Sequence, residues 1–157
     1  MNLELDLQIA SEQTGLPSEA DILAWLSSFA ALEALTVAEI TVRIVDADES
    51  EALNYQYRGK TKPTNVLSFP FENEMDLPIP LLGDLVVCAP VVRAEAEEQK
   101  KPEWQHWAHL IIHGALHLVG YDHINDEDAE IMENKERAIL AKLDIPDPYE
   151  IRTEQNF

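Results

Sequence analysis

The stretch His113-Gly-Ala-Leu-His117-Leu-Val-Gly120-Tyr-Asp-His123 reads as the end of a helix followed by a tight reversal, and the rest of the chain is best read outward from it. His113 and His117 are four residues apart, which on an α-helix puts both imidazoles on one face, one turn apart. Two rings so placed can direct a nitrogen at one ion, at about 2.0–2.1 Å for zinc. Gly120 follows His117 by three residues, where a left-handed residue ends a helix and turns the chain back. That reversal can bring His123 round as a third ligand. Three neutral nitrogen donors leave one tetrahedral position for water, the arrangement of catalytic zinc sites. Three of the five histidines fall in these eleven positions. Their helix is otherwise rich in apolar residues, Leu110, Ile111, Ile112, Leu116, Leu118 and Val119. A buried imidazole there needs a partner, which a metal supplies.

Histidines at relative positions 0, 4 and 10 with glycine at 7 also match the ligand frame of the metzincin proteases. Those enzymes carry a glutamate directly after the first histidine as general base. Here that position is Gly114. A metzincin-like hydrolase is therefore an alternative with its base missing.

Upstream, Leu3, Leu5, Leu7 and Ile9 alternate with Glu4, Asp6 and Gln8, the period of a half-buried strand. Ser18 to about Leu32 has the apolar face of a helix, with Ile22, Leu23, Leu26, Phe29 and Ala30 together. Glu39 to Asp46 reads as a second strand, and Asp46 or Asp48 can cap a helix running to about Tyr57 and stopping near Gly59. Val66 to Phe71 is a short strand whose flanking Pro63 and Pro70 favour a sheet edge. Glu72 to Leu82, with Pro78 and Pro80, reads as a long loop able to act as a flap. Gly83 to Ala89 is apolar enough for a strand covered on both faces. Helices then run from Pro90 to Gln99, from Pro102 to about Val119, and from a cap at Asn125 or Asp126 to about Leu143. The order predicts an α+β fold: a small mixed four-stranded sheet covered by about five helices, with the metal site on a helix and the turn after it.

The 157 residues suit one domain spanning 1–157, without repeat or linker. No apolar run approaches the length of a membrane span, and the acidic, alternating N-terminus does not look like a secretory signal, so a cytoplasmic location is expected. The single cysteine, Cys88, excludes an internal disulfide. The net charge of −19 opposes nucleic-acid binding by the chain as a whole. Yet Arg58, Lys60 and Lys62 cluster in a segment free of acids from Ala52 to Phe71. Screening confines fields to about 8 Å at physiological salt, so a local basic groove survives on an acidic protein.

Three segments together resemble the YbeY family of bacterial endoribonucleases and ribosomal-RNA maturation factors, over nearly the full length. His113 to His123 is similar to the family's zinc motif, Tyr57 to Pro70 to its arginine loop and following strand, and Leu82-Gly-Asp-Leu-Val86 to its penultimate-strand signature. The resemblance implies one Zn2+ per chain on His113, His117 and His123, although other divalent metals suit imidazole. It implies Arg58 as the functional arginine. It further implies cleavage of single-stranded RNA, in maturation of the 3′ end of small-subunit (16S) rRNA and in ribosome quality control. The partners implied are rRNA, the small subunit and assembly proteins, with no membrane. The alternative in another class is a non-catalytic ribosome-assembly factor with a structural zinc.

Several residues receive weaker roles. His106 and His109 are expected as exposed helix histidines, and Trp25, Trp104 and Trp107 as core rather than base-stacking residues. Asp122 either orients a ligand histidine or stabilises the turn. Ser68 has no dedicated base and is not expected to be a nucleophile.

Overall fold

The computed structural model describes residues 2–35, 37–71, 81–122 and 124–149. His123 lies outside them, as does the expected flap apart from Leu81 and Leu82 at its end.

Alternating residues build β1 (Asn2–Ala10), whose Leu3, Leu5 and Leu7 turn toward the core. Helix α1 (Glu19–Leu32) starts where a capping box ties Ser18 to Asp21. It is followed by β2 (Val37–Val45) and α2 (Ala47–Arg58). Asp46 occupies the N-cap position of α2, but its carboxylate makes no cap bond. It accepts instead from the Ser11 hydroxyl and, at 3.1 Å, from the Glu12 N–H. The side chain thereby ties the segment after β1 to the end of β2.

The next elements are β3 (Val66–Pro70), β4 (Leu81–Cys88) and α3 (Ala89–Glu98), followed by α4 (Glu103–Leu118) and α5 (Asp126–Lys142), the last capped by Asn125. Strand β4 begins at Leu81, two residues before the expected Gly83. The sheet order is β1-β2-β4-β3, with β1, β2 and β4 parallel and β3 antiparallel on β4. The proline-flanked strand is thus an edge, since proline cannot donate to a second neighbour. Strand β4 is interior and covered on both faces: Leu85 and Val87 join the main core, Val86 and Cys88 a smaller one with Leu53 of α2.

Helix α4 contributes more buried residues than any other described helix, from His106 to Leu118. A helix apolar on most sides must be packed on most sides. Here β2 and β4, α1, α3 and α5 all contribute to the core around it. Its approach to the sheet depends on Gly114. A Cβ there would lie 2.8 Å from Leu85 Cδ2, 3.2 Å from Ser68 Oγ and 3.3 Å from Val66 Cγ2. Ser68 uses that closeness to donate its hydroxyl to the Gly114 carbonyl at 3.1 Å, pinning the edge strand to the histidine helix. The space a protease's glutamate would need is therefore filled by β3 and β4. Gly114→Glu should cost about 3 kcal/mol or more through overpacking and a buried charge, read as a lower denaturation midpoint, and should create no peptidase activity. A variant as stable as the parent would show that the close approach is not required.

Candidate active site

The reversal after α4 follows from Gly120, at φ +105°. The Gly120 N–H bonds the His117 carbonyl at 3.1 Å, and the Tyr121 N–H bonds the Leu116 carbonyl at 3.1 Å, the paired bonds of a Schellman motif. The fold-back puts the Tyr121 carbonyl 2.9 Å from His117 Nδ1. A carbonyl can only accept, so this Nδ1 carries the hydrogen and, in the neutral ring, Nε2 carries the lone pair.

His113 reaches the same state through another partner. Its Nδ1 lies 3.2 Å from Oε1 of Glu136, a fully buried residue of α5. Burial pushes the Glu136 carboxyl up. Hydrogen bonds from His109 and His113, with the attraction of both rings, outweigh that and bring it down to about 2. An ionised carboxylate accepts, so His113 Nδ1 also carries its hydrogen. The two Nε2 atoms then face each other at 3.2 Å. Two nitrogens sharing a tetrahedral ion at about 2.0–2.1 Å lie about 3.3–3.4 Å apart. The pair fits a metal ion.

Other donors also gather nearby. His109, His113 and Glu136 offer ligand atoms within 4.8 Å of one another. In this group His109 Nε2 and Glu136 Oε1 are 3.0 Å apart, and the Tyr149 hydroxyl donates to Glu136 Oε2 at 2.8 Å. Burial and Glu136 push the Tyr149 phenol up, so it stays protonated and donates. The set gathers around one fully buried carboxylate, with His109 and Tyr149 lining one cleft, while His113 lines another together with His117.

That cleft, of about 630 Å³, is also lined by Arg58, Asn65, Ser68 and Asp122. Arg58 ends α2, where Gly59 adopts the left-handed conformation at φ +70°. The loop that follows is held to α2 by two buried polar residues. Ser50 Oγ donates to the Thr64 carbonyl and accepts from its N–H, both at 3.0 Å, and Asn54 donates to the Lys62 carbonyl at 2.8 Å. Arg43, Arg93, Lys135 and Arg137 each sit against a carboxylate. Among the described residues, Arg58, Lys60 and Lys62 make no ion pair. On a chain with 30 acids and 11 bases, a guanidinium without an ion pair lining the cleft, with two further lysines close to it in sequence, suits an anionic ligand.

The residues matched by the family model described as "Endoribonuclease YbeY" are 8–144. This chain belongs to the YbeY endoribonuclease family. Membership makes it an RNA-cleaving hydrolase. The chain is also similar to the solution structure of TM1509 from Thermotoga maritima: 28% identity, 92% of this chain and 99% of that one covered, TM-score 0.56. None of its described helices is long and apolar enough to cross a membrane.

Some expectations from the sequence need correction. His106 is 2% exposed and pairs with Glu95 at 2.8 Å, and His109 is held by Glu136 and Tyr149, so neither is a solvated surface histidine. Trp25 and Trp107 are core, but Trp104 is 49% exposed. Glu136 and Tyr149 carry no sequence signal of a role at the site, beyond Glu136 sharing the apolar stripe of Met132, Ile139 and Leu140.

The pH dependence follows from two depressed groups. Burial lowers His109 below its usual value, although Glu136 opposes this. Its contribution to stability is complete above about 6.5 and lost as pH falls. Glu136, at about 2 in the fold, contributes fully above its unfolded value of about 4.3 and loses this toward pH 2. Both signs agree. The unfolding midpoint of the metal-free protein should fall steadily on acidification from neutral pH, and a midpoint constant down to pH 3 would contradict the assignment.

Proposed function

We propose that this protein is a zinc-dependent, single-strand-specific endoribonuclease of the cytoplasm. Its proposed task is maturation of the 3′ end of small-subunit (16S) rRNA and ribosome quality control, in contact with the small subunit and its assembly proteins. One observation carries the reading: Arg58 and the converging Nε2 atoms of His113 and His117 line the same cleft.

In this proposal His113, His117 and His123 hold the metal. Bound there, zinc supplies Lewis acidity toward a phosphate oxygen or a water molecule. Arg58 holds the scissile phosphate through two parallel N–H donors and stabilises the negative charge that gathers on its non-bridging oxygens. Lys60 and Lys62 extend the positive rim along a flexible strand, whose backbone contributes salt-dependent affinity. Ser68 stays out of the chemistry because its hydroxyl is committed to the Gly114 carbonyl.

Arg58→Ala should slow cleavage of single-stranded RNA by about 10²- to 10³-fold while leaving zinc content unchanged. His117→Ala should lose the zinc, and His109→Ala should retain it. These outcomes are read by elemental analysis beside a cleavage assay on protein freed of contaminating nuclease. Wild-type protein that binds zinc and RNA but cuts nothing would favour a non-catalytic assembly factor. Zinc retained in His117→Ala and lost from His109→Ala would move the site to the His109, His113 and Glu136 group.

A further inference from the structure

Glu136 is an unlikely residue for its place in the fold. On α5 it follows Met132 by four positions and precedes Ile139 and Leu140, all buried, and it is itself fully buried. A carboxylate in that stripe is costly unless every lone pair is satisfied. Here they are well supplied. Oε1 lies 3.0 Å from His109 Nε2, 3.2 Å from His113 Nδ1 and 3.0 Å from the Tyr149 hydroxyl, and Oε2 lies 2.8 Å from the same hydroxyl.

Tyr149 is brought there by a built segment. After α5 the chain runs Asp144-Ile-Pro-Asp-Pro-Tyr149, with two prolines restricting its backbone. Asp147 accepts from Arg137 Nε at 2.9 Å and from the Tyr149 N–H at 2.8 Å, and the Arg137 guanidinium lies 5.5 Å from the centre of the Tyr149 ring. The phenol is thus held against both oxygens of a carboxylate that lies against His113.

We propose that Tyr149 and Glu136 are positioning residues for the metal site: the phenol orients the buried carboxylate, and the carboxylate fixes the His113 ring with Nε2 facing His117. The inference rests on reading His113 as a metal ligand. A carboxylate on the far nitrogen of a ligand histidine fixes its tautomer and raises its basicity, and losing such a partner weakens metal binding by about 10- to 100-fold. His109 shares the carboxylate and steadies it from one turn earlier on α4. The end of the described chain thereby becomes part of what determines metal affinity.

The test uses the full chain with Tyr149→Phe, which removes only the hydroxyl, and Glu136→Gln, which keeps the shape. Zinc affinity is measured by competition with a chromophoric chelator. The His113 tautomer is read from imidazole ¹⁵N shifts of the metal-free protein. Both variants should bind zinc about 10- to 100-fold more weakly, with His113 no longer held in the Nδ1–H form. Folded variants with wild-type zinc affinity and an unchanged His113 tautomer would overturn the relay, even if they unfold more easily. Wild-type protein that fails to bind zinc would overturn the ligand assignment instead, and the tautomer measurement, which needs no metal, would still decide the relay.

Discussion

Two imidazole nitrogens one helical turn apart, facing each other across 3.2 Å, are the constraint from which the rest of the site follows. Helical spacing alone brings two such rings to one face but leaves each free to rotate. Acceptors behind the rings remove that freedom: the Tyr121 carbonyl for His117 and the Glu136 carboxylate for His113. Each accepts a hydrogen bond from Nδ1–H and leaves the Nε2 lone pair toward the other ring. Backbone geometry supplies the first acceptor, through the reversal at Gly120. Tertiary packing supplies the second, through α5. A cation between the two nitrogens would satisfy both lone pairs at once.

The cleft before these rings depends on how closely α4 lies on the sheet. Gly114 permits the approach and Ser68 fastens it, so β3 forms the cleft's near wall with Val66, Ser68 and Pro70. Arg58 enters from the end of α2, on a loop that Ser50 and Asn54 keep against its helix. The overall negative charge does not prevent an anion from entering. Screening makes the local field matter, and Arg58, Lys60 and Lys62 keep theirs without a carboxylate partner among the described residues. Elsewhere several bases are paired with acids, as Arg43 is with Glu49 and Arg93 with Glu103.

Much of the architecture is legible in the sequence because it follows from short-range rules. Alternation marks β1, the apolar face from Ser18 to about Leu32 marks α1, and the prolines around Val66 to Phe71 mark an edge strand. The apolar run through Val86 and Val87 marks the covered interior strand. What the sequence hides depends on partners distant along the chain. Asp46 looks like a helix cap until Ser11 arrives from the other side. His106 looks solvated until Glu95 of α3 meets it. Glu136 is one of many acids in α5, and only its position in the apolar stripe hints at burial. Nothing local indicates that Tyr149 returns to it. Gly114 reads as a missing catalytic base, whereas its physical role is to let β3 and β4 come close.

The account is tested most directly by zinc-edge X-ray absorption fine structure on the loaded wild-type protein. It predicts a first shell of three imidazole nitrogens and one further oxygen at about 2.0–2.1 Å, a shell that changes when His117 is replaced. A shell of two imidazoles and a carboxylate, unaltered by replacing His117, would contradict it.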